Sequence, residues 1–138
     1  MQEAEINADE GERNLAALLK NLNPTLDEQP YVFVSIPSDD ERFIPNFPIK
    51  GLFREREGYT CIIEQRIADH NGLEYSALFC CLTCEVHSSL EAVGLTAAIS
   101  AVLAEHDISA NIVAGYYHDH IFIPQADARR AVAVLKNI

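Results

Sequence analysis

Three stretches of this sequence gather residue types capable of chemistry. The first, Ser88-Ser89-Leu90-Glu91-Ala92-Val93-Gly94, sets two hydroxyls, a carboxylate and a glycine where a helix begins. A helix start presents unpaired N–H groups and a partial positive charge, which suit the carboxylate of a small ligand. Gly94 removes a side chain that would block close approach. The same residues also have a purely structural use, since Ser88 with Glu91 three residues on is a capping box. The second stretch is Tyr116-Tyr117-His118-Asp119-His120. In an extended strand His118 and His120 point one way and Asp119 the other, towards the side shared with Ile121 and Ile123. Placed in a turn, Asp119 could hold a ligand ammonium, or could simply be a turn aspartate between solvated histidines. The third stretch, Cys81-x-x-Cys84, carries a spacing that suggests zinc or redox chemistry.

The wider context argues against metal and covalent chemistry. Residues three apart on a strand face opposite sides of a sheet, and a redox thiol wants a helix N-terminus beside it. The cysteines therefore read as small hydrophobes held reduced in a cytoplasmic setting. His118 and His120, with His87 as a third ligand, would make a start for zinc, but nothing in the spacing fixes the third partner. No metal site is expected. The sequence holds no G-x-S-x-G elbow, no G-x-x-x-x-G-K-S/T loop and no G-x-G-x-x-G. The expectation is a binding protein without catalytic activity and without a cofactor.

The elements that must position these residues follow from periodicity. Leu15, Leu18, Leu19 and Leu22 lie on one helical face, capped by Asn14 and ended by Asn23-Pro24. Tyr31–Ile36 reads as a strand, and residues 37–48, with three prolines, as an exposed loop. LFRERE and YTCIIEQ around Gly58 form a hairpin, with one helical turn at 66–71. From Leu78 to Val86 every even position is apolar while the odd positions grade towards polar, which is the alternation of a strand. A helix follows with Leu95, Ile99, Val102 and Leu103 as its stripe, then strands at 111–117 and 119–123. Pro124 opens a last helix carrying Ala128, Val132 and Leu135. Residues 77–138 thus spell strand, helix, strand, strand, helix. Such a sheet lacks a strand, most economically donated by the N-terminal half, for instance by Tyr31–Ile36.

With 138 residues the chain suffices for one core. Its net charge of −11 disfavours nucleic-acid and anionic-membrane partners. The acidic first residues resemble neither a signal peptide nor a membrane span, so a cytoplasmic protein is expected. The organisation read from the sequence is a disordered acidic tail at 1–12, an N-terminal half at 13–76 and a second module at 77–138.

The segment from Val86 to Pro124, with the alanine-rich helix after it, resembles an ACT domain. The likeness is closest to a stand-alone subgroup long catalogued as a domain of unknown function, related to aspartate-kinase regulatory domains and tandem-ACT arginine sensors. Gly94, Ile108 through Ile112 and Tyr116 through Ile123 occupy the family's glycine, I-N-I strand and return strand. The resemblance implies an α/β, ferredoxin-like ACT sheet, with Tyr31–Gln65 contributing an ACT-like half. It also implies amino-acid binding at an interface between units and a regulatory outcome. On that basis the expected ligand site is Ser88, Ser89, Val93, Gly94, Asn111, Ile112, Val113 and Asp119. Ser88 and Ser89 would take the ligand carboxylate, Asp119 or Asn111 its ammonium, and the valines its side chain. A homodimer is expected, since the sheet face opposite the helices carries Phe79, Cys81 and Phe122. The alternative is an interaction module that has lost its ligand.

Overall fold

The computed structural model describes residues 16–85 and 94–138. Its elements are a helical turn at 16–20 (α1), β1 (Thr25–Ile36), β2 (Gly51–Glu55), β3 (Gly58–Glu64), α2 (Gln65–His70) and β4 (Phe79–Cys84). There follow α3 (Leu95–Glu105), β5 (Asn111–Ala114), β6 (Asp119–Pro124), a 3-10 turn at Gln125–Asp127 and α4 (Ala128–Lys136). Among the described residues the strands form one antiparallel sheet in the order β2-β3-β1-β4-β6-β5. None of the described helices is long and apolar enough to cross a membrane.

That order contains two ferredoxin-like units sharing their central strands. Taken from β4, the chain runs β4-α3-β5-β6-α4, and β1 lies beside β4 in the fourth-strand position. Taken from β1, it runs β1-β2-β3-α2-β4, with β4 beside β1 in the same role. Each unit's first strand is the other's last. The expected donation by the N-terminal half is therefore found, with one difference. The pairs made with the C-terminal part of β4 come from Thr25, Leu26 and Asp27, ahead of the strand read from sequence. Tyr31–Ile36 pairs mainly with β3 instead.

Side-chain alternation sorts the core into layers. On one face Leu82, Cys84, Ile121 and Ile123 meet Leu95, Ile99 and Leu103 of α3, Ala131 and Leu135 of α4, and Leu19 and Leu22. Burying each such large aliphatic side chain stabilises the fold by about 1.5–3 kcal/mol. On the same face, Val32, Val34, Cys61 and Ile63 are covered by Ile67 and Ala68 of α2. Prolines 37, 45 and 48 leave no room for a helix longer than about two turns after β1. The loop at 37–50 nonetheless packs: Phe43 and Phe47 lie against this cluster, and the Tyr59 hydroxyl donates to the Asp40 carbonyl at 2.5 Å. The loop is otherwise largely exposed, as its prolines and charges suggest. The opposite face carries Tyr31, Ile62, Cys81 and Phe122, flanked by Phe33, Phe79 and Val113.

The β2–β3 hairpin depends on Gly58, whose φ is +140°. A Cβ there would run into the Ile36 carbonyl oxygen and come within 2.9 Å of Pro37 Cα, both backbone atoms that cannot step aside.

Candidate ligand site

Of the proposed ligand residues, Asn111, Ile112 and Val113 lie on β5 and Asp119 on β6. Asp119 opens β6 and stands between Cys84 of β4 and Ala114 of β5. Cross-strand partners share a face, so Asp119 lies on the helix-covered side with Cys84 and Ile121. It sits in a strand, not in the turn. Burial raises its pKa, an effect partly offset by neighbouring His120. The Cys84 thiol beside it is pushed up to about 12 by burial, with Asp119 and Cys81 adding to the shift. Such a thiol stays protonated and unreactive.

Ile112 pairs with Ile121 and packs with the helix-side core. Asn111 and Val113 pair with Phe122 and His120, and so point to the other face. Val113 joins the Tyr31–Phe122 cluster there. The side chains of β5 are thus divided between faces. Among the described residues, Asn111, Ile112 and Val113 share the outer edge of the sheet, where β5 pairs with β6 alone. An edge strand directs unpaired N–H and C=O groups outward.

Gly94 occupies the N-cap of α3 with φ +98°. No described atom lies within 4 Å of a Cβ built there, so left-handed backbone is what requires glycine at this position. Its carbonyl accepts from Ala98 N–H at 2.9 Å, the first α3 bond. Ser88, Ser89 and Val93, the capping box Ser88/Glu91, and His87 lie outside the described residues.

On the opposite face His120 meets Thr83, Nδ1 to Oγ1 at 3.1 Å. Burial first, then Lys50 and His118, lower the His120 pKa from 6.5, while Asp119 opposes them. Neutral His120 is therefore favoured in the folded state more than in the unfolded one. Its contribution to stability is present above pH 6.5 and is lost as pH falls through the depressed folded value. The His120→Gln variant is expected to show a shallower loss of Tm between neutral and mildly acidic pH than the parent. Equal slopes in a pH series of melts would refute this role.

The hairpin tip bears Tyr116 and Tyr117, both largely exposed, and closes with the Gly115 N–H donating to the His118 carbonyl at 2.8 Å. The strand read at 111–117 therefore ends at Ala114, because the chain turns at Gly115. Among the described residues no group of three or more His, Cys, Asp or Glu side chains is placed to hold a metal. Cys81 and Cys84 face opposite sides of the sheet, as their spacing requires.

Sequence reasoning passed over a groove of about 330 Å³ at the other end of β6. It is lined by Leu26, Glu28, Cys80, Gln125, Ala126, Ala128 and Arg129. The signal available for it was Pro30, which inside a strand marks an edge or a bulge.

Comparison with known proteins gives these features a family. A family model for the ACT domain matches residues 10–83, and a second with the same description matches 79–137. The matches overlap within β4, a strand that both units use. A protein of unknown function from Vibrio cholerae, described as a possible transport protein, is 44% identical with a TM-score of 0.81, covering 92% of this chain and 97% of that one. An Agrobacterium tumefaciens protein is 12% identical with a TM-score of 0.63, covering 79% and 82%. The regulatory subunit of aspartate kinase from Thermus thermophilus is 10% identical with a TM-score of 0.59, covering 85% and 97%. At these low identities the last two likenesses speak for the fold alone. Comparison with curated proteins finds no match. The family models, the Vibrio likeness and the two interlocked ferredoxin-like units agree, and the chain belongs to the ACT-domain family.

Proposed function

We propose that the protein is a non-catalytic regulatory module that binds a small molecule, an amino acid, where α3 begins beside the β5 edge and Asp119. The observation that carries this reading is Asp119 itself. It is a part-buried carboxylate on the helix-covered face, at the sheet end where β4 finishes at Cys84. Desolvation of that kind strengthens an interaction with an incoming ammonium. The ligand carboxylate would be taken by Ser88, Ser89 and nearby N–H groups, and its backbone by the open edge at Asn111–Val113, with Val93 and Ile112 against the side chain. Membership of a family of small-molecule regulatory domains supports the class. The protein would act in the cytoplasm as a homodimer. Ligand would bias the subunit arrangement by its difference in affinity between two states.

A second reading, an interaction module without a ligand, is favoured by a different feature. Ile44 and Ile49 of the loop and Leu52 and Phe53 of β2 are exposed. Cys81 and Phe122, the residues expected to be covered by a partner, are already buried within the single chain.

A thermal-shift screen against the free amino acids separates the readings. A ligand at ~100 times its dissociation constant stabilises by about 2.7 kcal/mol, a rise in Tm of several degrees. The expected result is a rise with one amino acid or a related set, reduced by Asp119→Asn. A flat screen, or a rise indifferent to Asp119→Asn, overturns the site and leaves the interaction module.

A further inference from the structure

The groove at the far end of β6 is built by an irregularity that the fold does not need. Between the pairs Asp27–Cys81 and Tyr31–Phe79, three residues of β1 (Glu28, Gln29 and Pro30) stand opposite the single residue Cys80. Pairing of β1 with β3 begins only at Tyr31–Glu64, so this bulge has no ladder partner on that side either. Asp27 fixes its shape from the open face, accepting the Gln29 N–H at 3.0 Å and the Tyr31 hydroxyl at 2.8 Å. Glu28 is thereby turned to the helix side, where it meets Arg129 at 2.9 Å.

Behind that ion pair lies the groove. Cys80, nearly inaccessible, forms its floor, and Leu26 and Ala128 form apolar walls. The 3-10 turn at its rim is anchored by the Gln125 N–H donating to the Leu78 carbonyl at 3.0 Å. At about 330 Å³ it lies within the range of small-molecule sites. The groove where β3 runs into α2, lined by Tyr31, Pro48, Ile49, Lys50, Glu64 and Ile67, is about 170 Å³.

We propose that this groove is a second ligand site, for a small zwitterion of the α-amino-acid class, which enters by replacing the Glu28–Arg129 pair with its own two charges. The guanidinium of Arg129 takes the carboxylate, and Glu28 takes the ammonium. The existing pair is cheap to open: both side chains are mostly exposed, and such pairs contribute about 0–1 kcal/mol. Neighbouring Arg130 is committed elsewhere, to Asp127 and the His106 carbonyl, which leaves Arg129 as the arginine able to turn inward. The site is separate from the one around Asp119. The two lie at opposite ends of β6, about 17 Å apart at ~3.4 Å per residue. Because Glu28 belongs to the shared strand and Arg129 to the helix of one unit, an occupant would bridge the seam between units.

The test is a backbone-amide NMR titration of the full chain with each free amino acid at millimolar concentration, repeated with N-acetylated and C-amidated forms. Expected are shifts at residues 26–29 and 125–129, distinct from those at the Asp119 site. Affinity should fall at least tenfold on Glu28→Gln, on Arg129→Gln and on blocking either ligand charge, the scale of one lost charge-assisted contact. Asp119→Asn should leave these shifts unchanged. No response in either segment, a response equal in both surface variants, or shifts confined to Gly94, Ala114 and Asp119 would overturn the proposal. The last outcome would still uphold the Asp119 site, and loss of Asp119-dependent binding alone would leave this groove standing.

Discussion

A fragment comprising residues 77–138 is expected not to fold as a soluble monomer, although it spells most of an ACT domain. Its first strand, β4, would lose its partners Thr25, Leu26, Asp27 and Tyr31. The helix-side core would lose Leu19 and Leu22, both buried, together with the flanking Leu18 and Leu26. The other face would lose Tyr31 and Ile62. Four buried apolar side chains at about 1.5–3 kcal/mol each match the entire stability of a typical domain, 5–15 kcal/mol. The fragment also presents β4 as a long apolar edge, which invites association. A permuted chain in which residues 18–36 follow 138 through a flexible linker restores strand four in ferredoxin order. It should recover a cooperative melt. Circular dichroism and light scattering on both chains decide the matter. A monomeric fragment 77–138 with a sharp transition would mean that the shared strands are not needed for stability.

The parts of this architecture written locally were legible in the sequence. The alternation from Leu78 to Val86 announced β4, and the i, i+4 spacing of Leu95, Ile99 and Leu103 announced α3. Period-two reasoning also placed Asp119 on the side of Ile121 and Ile123, where it lies. What could not be read was set by contacts distant in sequence. β1 begins at Thr25 because β4 offers it a partner, whereas TLDEQP alone has polar residues and a proline where a strand should be apolar. The Glu28–Arg129 pair joins residues 101 positions apart, and no spacing rule reaches that far. The strand residues proposed to meet a ligand show a limit of reading by segment. The sequence put Asn111, Ile112 and Val113 in one list, but a strand cannot turn consecutive side chains to one face. Only their shared edge position brings them together.

Phe122→Ala should be the most destabilising single substitution on the face away from the helices. Phe122 is 1% exposed, and it meets Tyr31 and Phe33 edge-on, with ring centroids 6.1 and 5.5 Å away. Phe33 in turn meets Phe79 at 5.2 Å. The cluster reaches from β6 across β4 to β1, and it can do so because the intervening residue of β4 is the small Cys81. It therefore ties the second unit to the strand it shares with the first. Truncating a buried phenylalanine costs about 3–5 kcal/mol, part transfer energy and part cavity. The edge-on pairs add about 0.5–1.5 kcal/mol beyond burial. Phe122→Leu, which keeps most of the volume, should cost less than half as much. In a double-mutant cycle with Phe33→Leu, urea melts should reveal a coupling of about 0.5–1.5 kcal/mol, since the rings touch. Additive losses would mean that the two rings are buried side by side without mutual stabilisation. A loss below about 1 kcal/mol for Phe122→Ala would place the seam's stability wholly in the helix-side core.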